Sequence, residues 1–352
     1  MIIDDTLREG LQAPGISFTI EEKVELARLI GGAGVEEAVV SHPSAHESEV
    51  EVTRLIIEKG YFRRVFGLGR AVREDIDLIA SVNANISTYV PFEPDLAIKS
   101  LDVIKYAVNR YGRGKLLIEV GVTNVAAYDV KQVVKLAREL EEVGVDRIQL
   151  ADSTGRALPS FIDSVVREVR KAVKVPISVH CHNDYGLAVT NALAAVHAGA
   201  DYVDATVYGI GERNGITDLV TIANALKLEG YSIKIDLEGI RKAYDYLARL
   251  IIDKVGLEFF INNFPVIGLN LGVQTAGTHA AYSSVFRERY YSLNVYVGRS
   301  MLRRVLSELG VSVSDEELAL LVRRVKDMAV RTGRAVTTQQ LLELLREVRG
   351  GK

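Results

Sequence analysis

Along the first two-thirds of the chain, short β-branched runs alternate with longer stretches whose apolar positions recur every three or four residues. The first texture is that of a buried strand, the second that of an amphipathic helix. The strand candidates are Met1–Asp5, Val35–Val40, Arg64–Gly67, Ala84–Val90, Leu116–Val122, Asp146–Leu150, Pro176–His180 and Tyr202–Ala205. Helical patterns lie near Glu21–Ala33, His46–Lys59, Arg73–Ser81, Pro94–Arg110, Asp129–Val143, Pro159–Lys171, Gly186–Ala198 and Asp218–Leu228. Gly34, Gly144 and Gly199 stand where a helix must stop before a strand, as C-cap glycines do. Eight strands alternating with eight helices predict an α/β chain folded as a (β/α)8 TIM barrel. The main competitor, an open doubly wound sheet, would more usually show a Gly-rich first turn, and none is present.

From about Tyr231 the texture changes. Helical patterns dominate at Asp236–Lys254, Met301–Leu309, Asp315–Arg331 and Thr338–Val348, and the stretch 264–297 is rich in Gly, Asn and Tyr. The expected organisation is a catalytic barrel over 1–230, a linker or lid over 231–297 and a small helical subdomain over 298–352. This C-terminal helical extension has more apolar and aromatic surface than a short tail needs to cover itself. A homodimer with each tail over the partner's barrel is therefore expected.

Composition narrows the function. The 352 residues hold 43 Lys and Arg against 46 Asp and Glu, a formal charge of −3, so no basic excess invites nucleic acid. No apolar run reaches the roughly 20 residues of a membrane span. The single Cys rules out an internal disulfide. With no signal-like start, the expectation is a cytoplasmic protein without a membrane partner.

Chemistry in such a barrel gathers at the C-terminal strand ends. Those ends here are Thr6-Leu7-Arg8-Glu9-Gly10-Leu11-Gln12, Ser41-His42-Pro43, Thr123-Asn124, Asp152-Ser153-Thr154-Gly155, His180-Cys181-His182-Asn183-Asp184 and Gly209–Gly215. Polar and charged residues thus converge on one rim. In His180-Cys181-His182 alternate residues face one way, so both imidazoles can grip one ion and Cys181 faces the core. A carboxylate from another strand end completes the set, with Glu9 leading and Asp4 or Asp5 next. Such a nitrogen–oxygen set suits Zn, Mn, Co or Mg. Arg8, beside Glu9, is expected to point elsewhere and offer its fork to a substrate carboxylate. The Gly209–Gly215 loop is by itself a weak signal, since such loops more often make turns. His42 lies at a strand end and is a further site candidate, whereas His46 and His197 fall on helices and read as structural.

Three motifs then resemble those of the homocitrate, isopropylmalate and citramalate synthase family. They are Asp5-Thr6-Leu7-Arg8-Glu9-Gly10-x-Gln12, His180-x-His182-Asn183-Asp184-x-Gly186 and Gly209-x-Gly211-Glu212-Arg213-Asn214-Gly215-Ile216-Thr217. The last is closest to the homocitrate branch, and Gln274-Thr275-Ala276-Gly277-Thr278-His279 resembles a further family segment. The resemblance implies a Claisen condensation of an acyl-CoA such as acetyl-CoA with a 2-oxo acid. It implies a divalent metal on Glu9, His180 and His182, Arg8 polarising the keto group, and Gln12 and Ser153 holding the acid. It also implies a catalytic His279 delivered from the partner subunit's lid.

The departures lie in the second and fifth strands. Where the family has Arg, Ser and Glu, this chain has Glu119, Gly121 and Thr123, and Val39 replaces the second-strand Glu. Thr123 is thus expected in the substrate pocket, and His42 or His279 in place of the missing acid/base. Glu119 at the Arg position predicts a 2-oxo acid with a short or neutral tail, unless Arg70 or Arg156 supplies a cation. The alternative reading is a carbon–carbon lyase or aldolase on the same barrel, resembling hydroxymethylglutaryl-CoA lyase. That enzyme carries a Cys after the eighth strand, and this chain has none there.

Overall fold

The computed structural model describes residues 1–91, 94–112, 114–265, 269–275 and 290–350. Eight parallel strands close in sequence order into a barrel. They are β1 (Ile2–Asp4), β2 (Glu37–Ser41), β3 (Arg64–Leu68), β4 (Asn85–Val90), β5 (Ile118–Val122), β6 (Arg147–Asp152), β7 (Ile177–Cys181) and β8 (Tyr202–Ala205). The intervening helices are α1 (Ile20–Gly32), α2 (Glu47–Lys59), α3 (Arg73–Ser81), α4 (Pro94–Tyr111), α5 (Val130–Val143), α6 (Pro159–Ala172), α7 (Ala188–His197) and α8 (Leu219–Leu228). The (β/α)8 arrangement is the one the hydrophobic pattern predicts, and strand bounds move by one or two residues. Both faces of β1, β2, β5 and β7 are buried, which is why those runs read as continuous rather than alternating. Gly144 ends α5 at φ 96°, as its C-cap reading requires.

The barrel interior is not uniformly apolar. At its N-terminal end Arg147 on β6 donates to Glu37 on β2 at 3.0 Å and to Glu119 on β5. Glu119 also accepts from Ser87 and Ser178, each at 3.1 Å. The Arg147 guanidinium lies between the rings of Phe66 and Tyr202, 4.8 and 4.4 Å from their centroids. This corrects the expectation for Glu119. Its position is inward-facing but near the start of its strand, so it belongs to a neutralised floor, not to the substrate mouth. Val39 packs there too, with Ile3 and Phe66.

Beyond β8, α9 (Arg241–Lys254) packs on α1, α10 (Glu258–Asn262) follows, and β9 (Val273–Gln274) pairs with β10 (Tyr290–Tyr291). Helices α11 (Arg299–Glu308), α12 (Asp315–Thr332) and α13 (Thr338–Gly350) share a second core that includes Leu302, Leu306, Leu318, Leu321 and Leu341. The described tail residues close over their own chain's barrel, where a partner's was expected. Asn294 donates to the carbonyls of Leu11 and Ile16 at 2.6 and 3.2 Å, and Lys254 to Glu22 at 2.9 Å. Each satisfies a buried group at the barrel rim, which ties the tail in place. The lid residue His279 lies outside the described residues. No described helix is long and apolar enough to cross a membrane.

Candidate active site

The site is built from strand ends outward. Past β1 the chain turns into a 3-10 segment, Glu9–Gln12, all of it buried. That tight turn puts Arg8 among Asp5, Glu9 and Gln12. Arg8 Nη1 donates to Glu9 Oε2 at 2.5 Å and to Gln12 Oε1 at 3.0 Å, and its Nε donates to Asp5 Oδ1 at 3.0 Å. Arg8 and Glu9 therefore do not point apart, as the sequence suggested, but meet. Burial disfavours the Arg8 cation, yet the Asp5 and Glu9 carboxylates outweigh it and push its pKa up. Arg8 stays charged at any working pH.

Across the barrel axis, β7 presents His180 and His182 with ring centroids 5.1 Å apart. Ligand atoms of Glu9, His180 and His182 lie within 4.8 Å of one another, and all three residues are buried. The cluster could hold a metal ion. His180 Nδ1 bonds Asp204 Oδ2 at 3.0 Å, which holds Nδ1 and leaves Nε2 for an ion, a common support for a metal-binding imidazole. Asp204 is held in turn by Gln149 Nε2 at 2.7 Å. Asp5, His180 and Asp204 form an overlapping group through the same imidazole. Asp4 joins neither group. It turns to Thr6, whose backbone N and Oγ donate to it at 3.2 and 2.6 Å, and burial pushes its pKa up to about 7. Cys181 is buried in the core, as its strand register predicts.

The Gly209–Gly215 loop, weak as a motif, fixes the carboxylate. Glu212 N donates to Glu9 Oε1 at 2.9 Å, and the Glu212 side chain accepts from Thr275 N at 2.9 Å and from Gln12 Nε2 at 3.3 Å. Arg213, in the left-handed region at φ 56°, is anchored by Asp184 at 2.7 Å and the Ser153 carbonyl at 2.8 Å. A Cβ on Gly211 would lie 2.7 Å from Glu9 Oε1. Gly211→Ala is thus expected to displace Glu9 and to lower both metal affinity and rate by about tenfold or more. Unchanged metal content, measured by elemental analysis of the purified variant, would remove Glu9 from the ligand set.

A cleft of about 560 Å³ opens above this cluster, lined by Arg8, Glu9, Gln12, His42, Thr123, Ser153, His180 and His182 among others. The expected site residues inside the described region therefore come together. Gln12 has both amide ends engaged, on Arg8 and Glu212, which makes it a support for Arg8 more than a free ligand for substrate. Ser153 Oγ accepts from Asn124 N at 2.9 Å and keeps its own proton to give. His42 Nε2 is buried with no hydrogen-bond partner among the described residues, 3.8 Å from Asp75 Oδ2. Arg156 does not line the cleft and stacks on Tyr185, 5.7 Å from its centroid.

Sequence reading missed four participants. Asp204 was detectable as a lone charge inside an apolar strand. Gln149, Tyr296 and Lys326 were not, because strand parity or a tail helix's polar face says nothing about reaching the mouth. Tyr296 OH donates to the Arg8 carbonyl at 3.3 Å, with its ring centroid 5.8 Å from that of His42.

The HMGL-like family pattern matches residues 1–247, which span the whole barrel and the start of α9. The chain belongs to the HMGL-like family. Over 353 aligned residues it is 33% identical to a probable 2-isopropylmalate synthase of Methanopyrus kandleri, covering 93% of this chain and 69% of that one. A homocitrate synthase of Saccharolobus islandicus is 30% identical, covering 99% of this chain and 80% of its own. Relatives of this chain in the family are thus alkylmalate-type synthases, and two with different products stand at nearly equal distance. Among solved structures, hydroxymethylglutaryl-CoA lyase from Pseudomonas aeruginosa shares the barrel fold with a TM-score of 0.62 at 16% identity, over 71% of this chain and 92% of that one.

Proposed function

We propose that this family member condenses acetyl-CoA, or another short acyl-CoA, with a 2-oxo acid to give a 2-hydroxy-2-alkyl diacid or triacid. The observation that supports it most is the buried Glu9, His180 and His182 cluster facing a cleft lined by Arg8. The donor set fits a divalent ion: one carboxylate and two imidazoles, one of them braced by Asp204. Zn, Mn, Co and Mg all accept it. A bound ion would supply a Lewis acid and a template for the 2-oxo acid.

The chain's own groups do the rest. Arg8 donates to the keto oxygen as negative charge develops there. Ser153 Oγ and Thr123 hold the acid's carboxylate end. His42, with Nε2 unengaged and Asp75 at its back, takes a proton from the acyl methyl group. The resulting carbanion forms the new bond to the keto carbon, whose oxygen takes up a proton. Water then cleaves the thioester, releasing a carboxylate and the free thiol. His279 remains a candidate for the second proton transfer.

The alternative, carbon–carbon lysis of a hydroxyacyl-CoA, shares the barrel. Against it, the one Cys of the chain is buried in β7 and none follows β8. Thiol release from acetyl-CoA, followed with a panel of 2-oxo acids and product masses, should show a new acid heavier than its parent by the acetyl unit. No thiol release with any acid, together with cleavage of hydroxymethylglutaryl-CoA, would replace condensation by lysis.

A further inference from the structure

We infer that Lys326, with Arg70 beside it, forms an anion-binding wall of the cleft that recognises a negative charge carried away from the reacting carbons. Two sources have that chemistry: the far carboxylate of a dicarboxylic 2-oxo acid, and a phosphate of the acyl-CoA. The inference rests on the condensation reading and assigns the specificity of the same cleft.

The geometry comes from two parts of the chain. Arg70 follows β3, which stands four strands from β7 in the closed barrel and so faces the His180 and His182 side across the mouth. Lys326 comes from α12 of the tail and lines the same cleft. Its Nζ donates to the Ala45 carbonyl at 2.6 Å and forms no ion pair with a described carboxylate. The acids nearby are already engaged. Asp75 takes the Arg70 fork at 2.9 and 2.8 Å, and Asp327 meets His46 at 3.1 Å. An ammonium has three donors, and one carbonyl satisfies one of them. Burial disfavours the Lys326 charge and the neighbouring Arg70 adds to that, so both lower its pKa. A half-buried cation next to another cation is costly unless an anion joins them. The floor does not oppose such a ligand, because the Glu119 charge is neutralised by Arg147. The short-tail expectation drawn from Glu119 therefore loses its premise, and a charged tail becomes the favoured one.

The test uses the purified metal-loaded enzyme and reads binding separately from turnover. Calorimetric titration compares 2-oxoglutarate with uncharged-tail 2-oxopentanoate, and coenzyme A with pantetheine. At least one charged member should bind about tenfold or more tightly than its uncharged counterpart, as a charge-assisted hydrogen bond allows. Lys326→Gln should erase that preference and Lys326→Arg should restore it. Loss confined to the 2-oxoglutarate arm assigns the far carboxylate; loss confined to the coenzyme A arm assigns the phosphate. Equal binding of charged and uncharged members by the native protein overturns the inference without any variant, as does a preference that survives Lys326→Gln. Absence of thiol release alongside a Lys326-dependent preference would instead remove condensation and leave the anion wall standing.

Discussion

His180→Ala and His182→Ala are each expected to abolish condensation and to strip most of the divalent metal from the protein. Each removes one of three donors that the fold holds within 4.8 Å of one another, and two remaining protein donors seldom hold such an ion. A graded companion is Asp204→Asn, which leaves every donor in place but loosens the bond of 3.0 Å that fixes His180. Its metal affinity should fall by about 10–100-fold, with a smaller loss of rate at saturating metal. Elemental analysis and metal titration of the three variants, beside the thiol-release rate, check this. Full metal content and full rate in either alanine variant would sink the metal centre.

Arg147→Ala should be the most damaging change to stability, and it lies away from the cleft. It leaves Glu119 and Glu37 as buried carboxylates at the barrel floor. Removing one partner of such a cluster costs about 3–5 kcal/mol, because the other charge stays desolvated. Glu37 keeps Arg64 at 2.6 Å, so most of the cost falls on Glu119. Adding Glu119→Gln to the Arg147 variant should recover much of the loss, since an amide needs no counter-ion. Denaturant or thermal unfolding of the single and double variants reads both effects. A single variant as stable as the native chain would mean that water or a rearranged side chain already compensates the floor.

The buried ionic floor explains one failure of the sequence reading. In a strand, parity tells which face a residue takes, and Glu119 was read correctly as inward. Parity does not tell how far along the barrel axis the residue sits. That depends on the stagger of β5 against β4 and β6, a tertiary quantity. The error moved a neutralised charge into the substrate mouth and shortened the expected substrate. Arg8 and Glu9 fail for a related reason. As neighbours on an extended strand they would diverge, but the chain has already turned into a 3-10 segment, and both side chains swing to one side.

The barrel itself was legible because its cause is local and repeated. Each β-branched run followed by an amphipathic stretch must bury its apolar face, and eight such units have one economical closure. The rim residues were legible for the same reason: His180 and His182 share a face by parity, and Glu9 follows the first strand at the same end. What the sequence determined by itself was therefore the strand and helix order, the end that carries the chemistry, and the metal-ligand candidates. Only the tertiary structure decided the partners at long range. It put Asp204 behind His180, wrapped Gly211 against Glu9, and brought Lys326 over the mouth from more than 250 residues beyond Arg70. Those pairings come from the packing of whole elements, which no window of sequence contains.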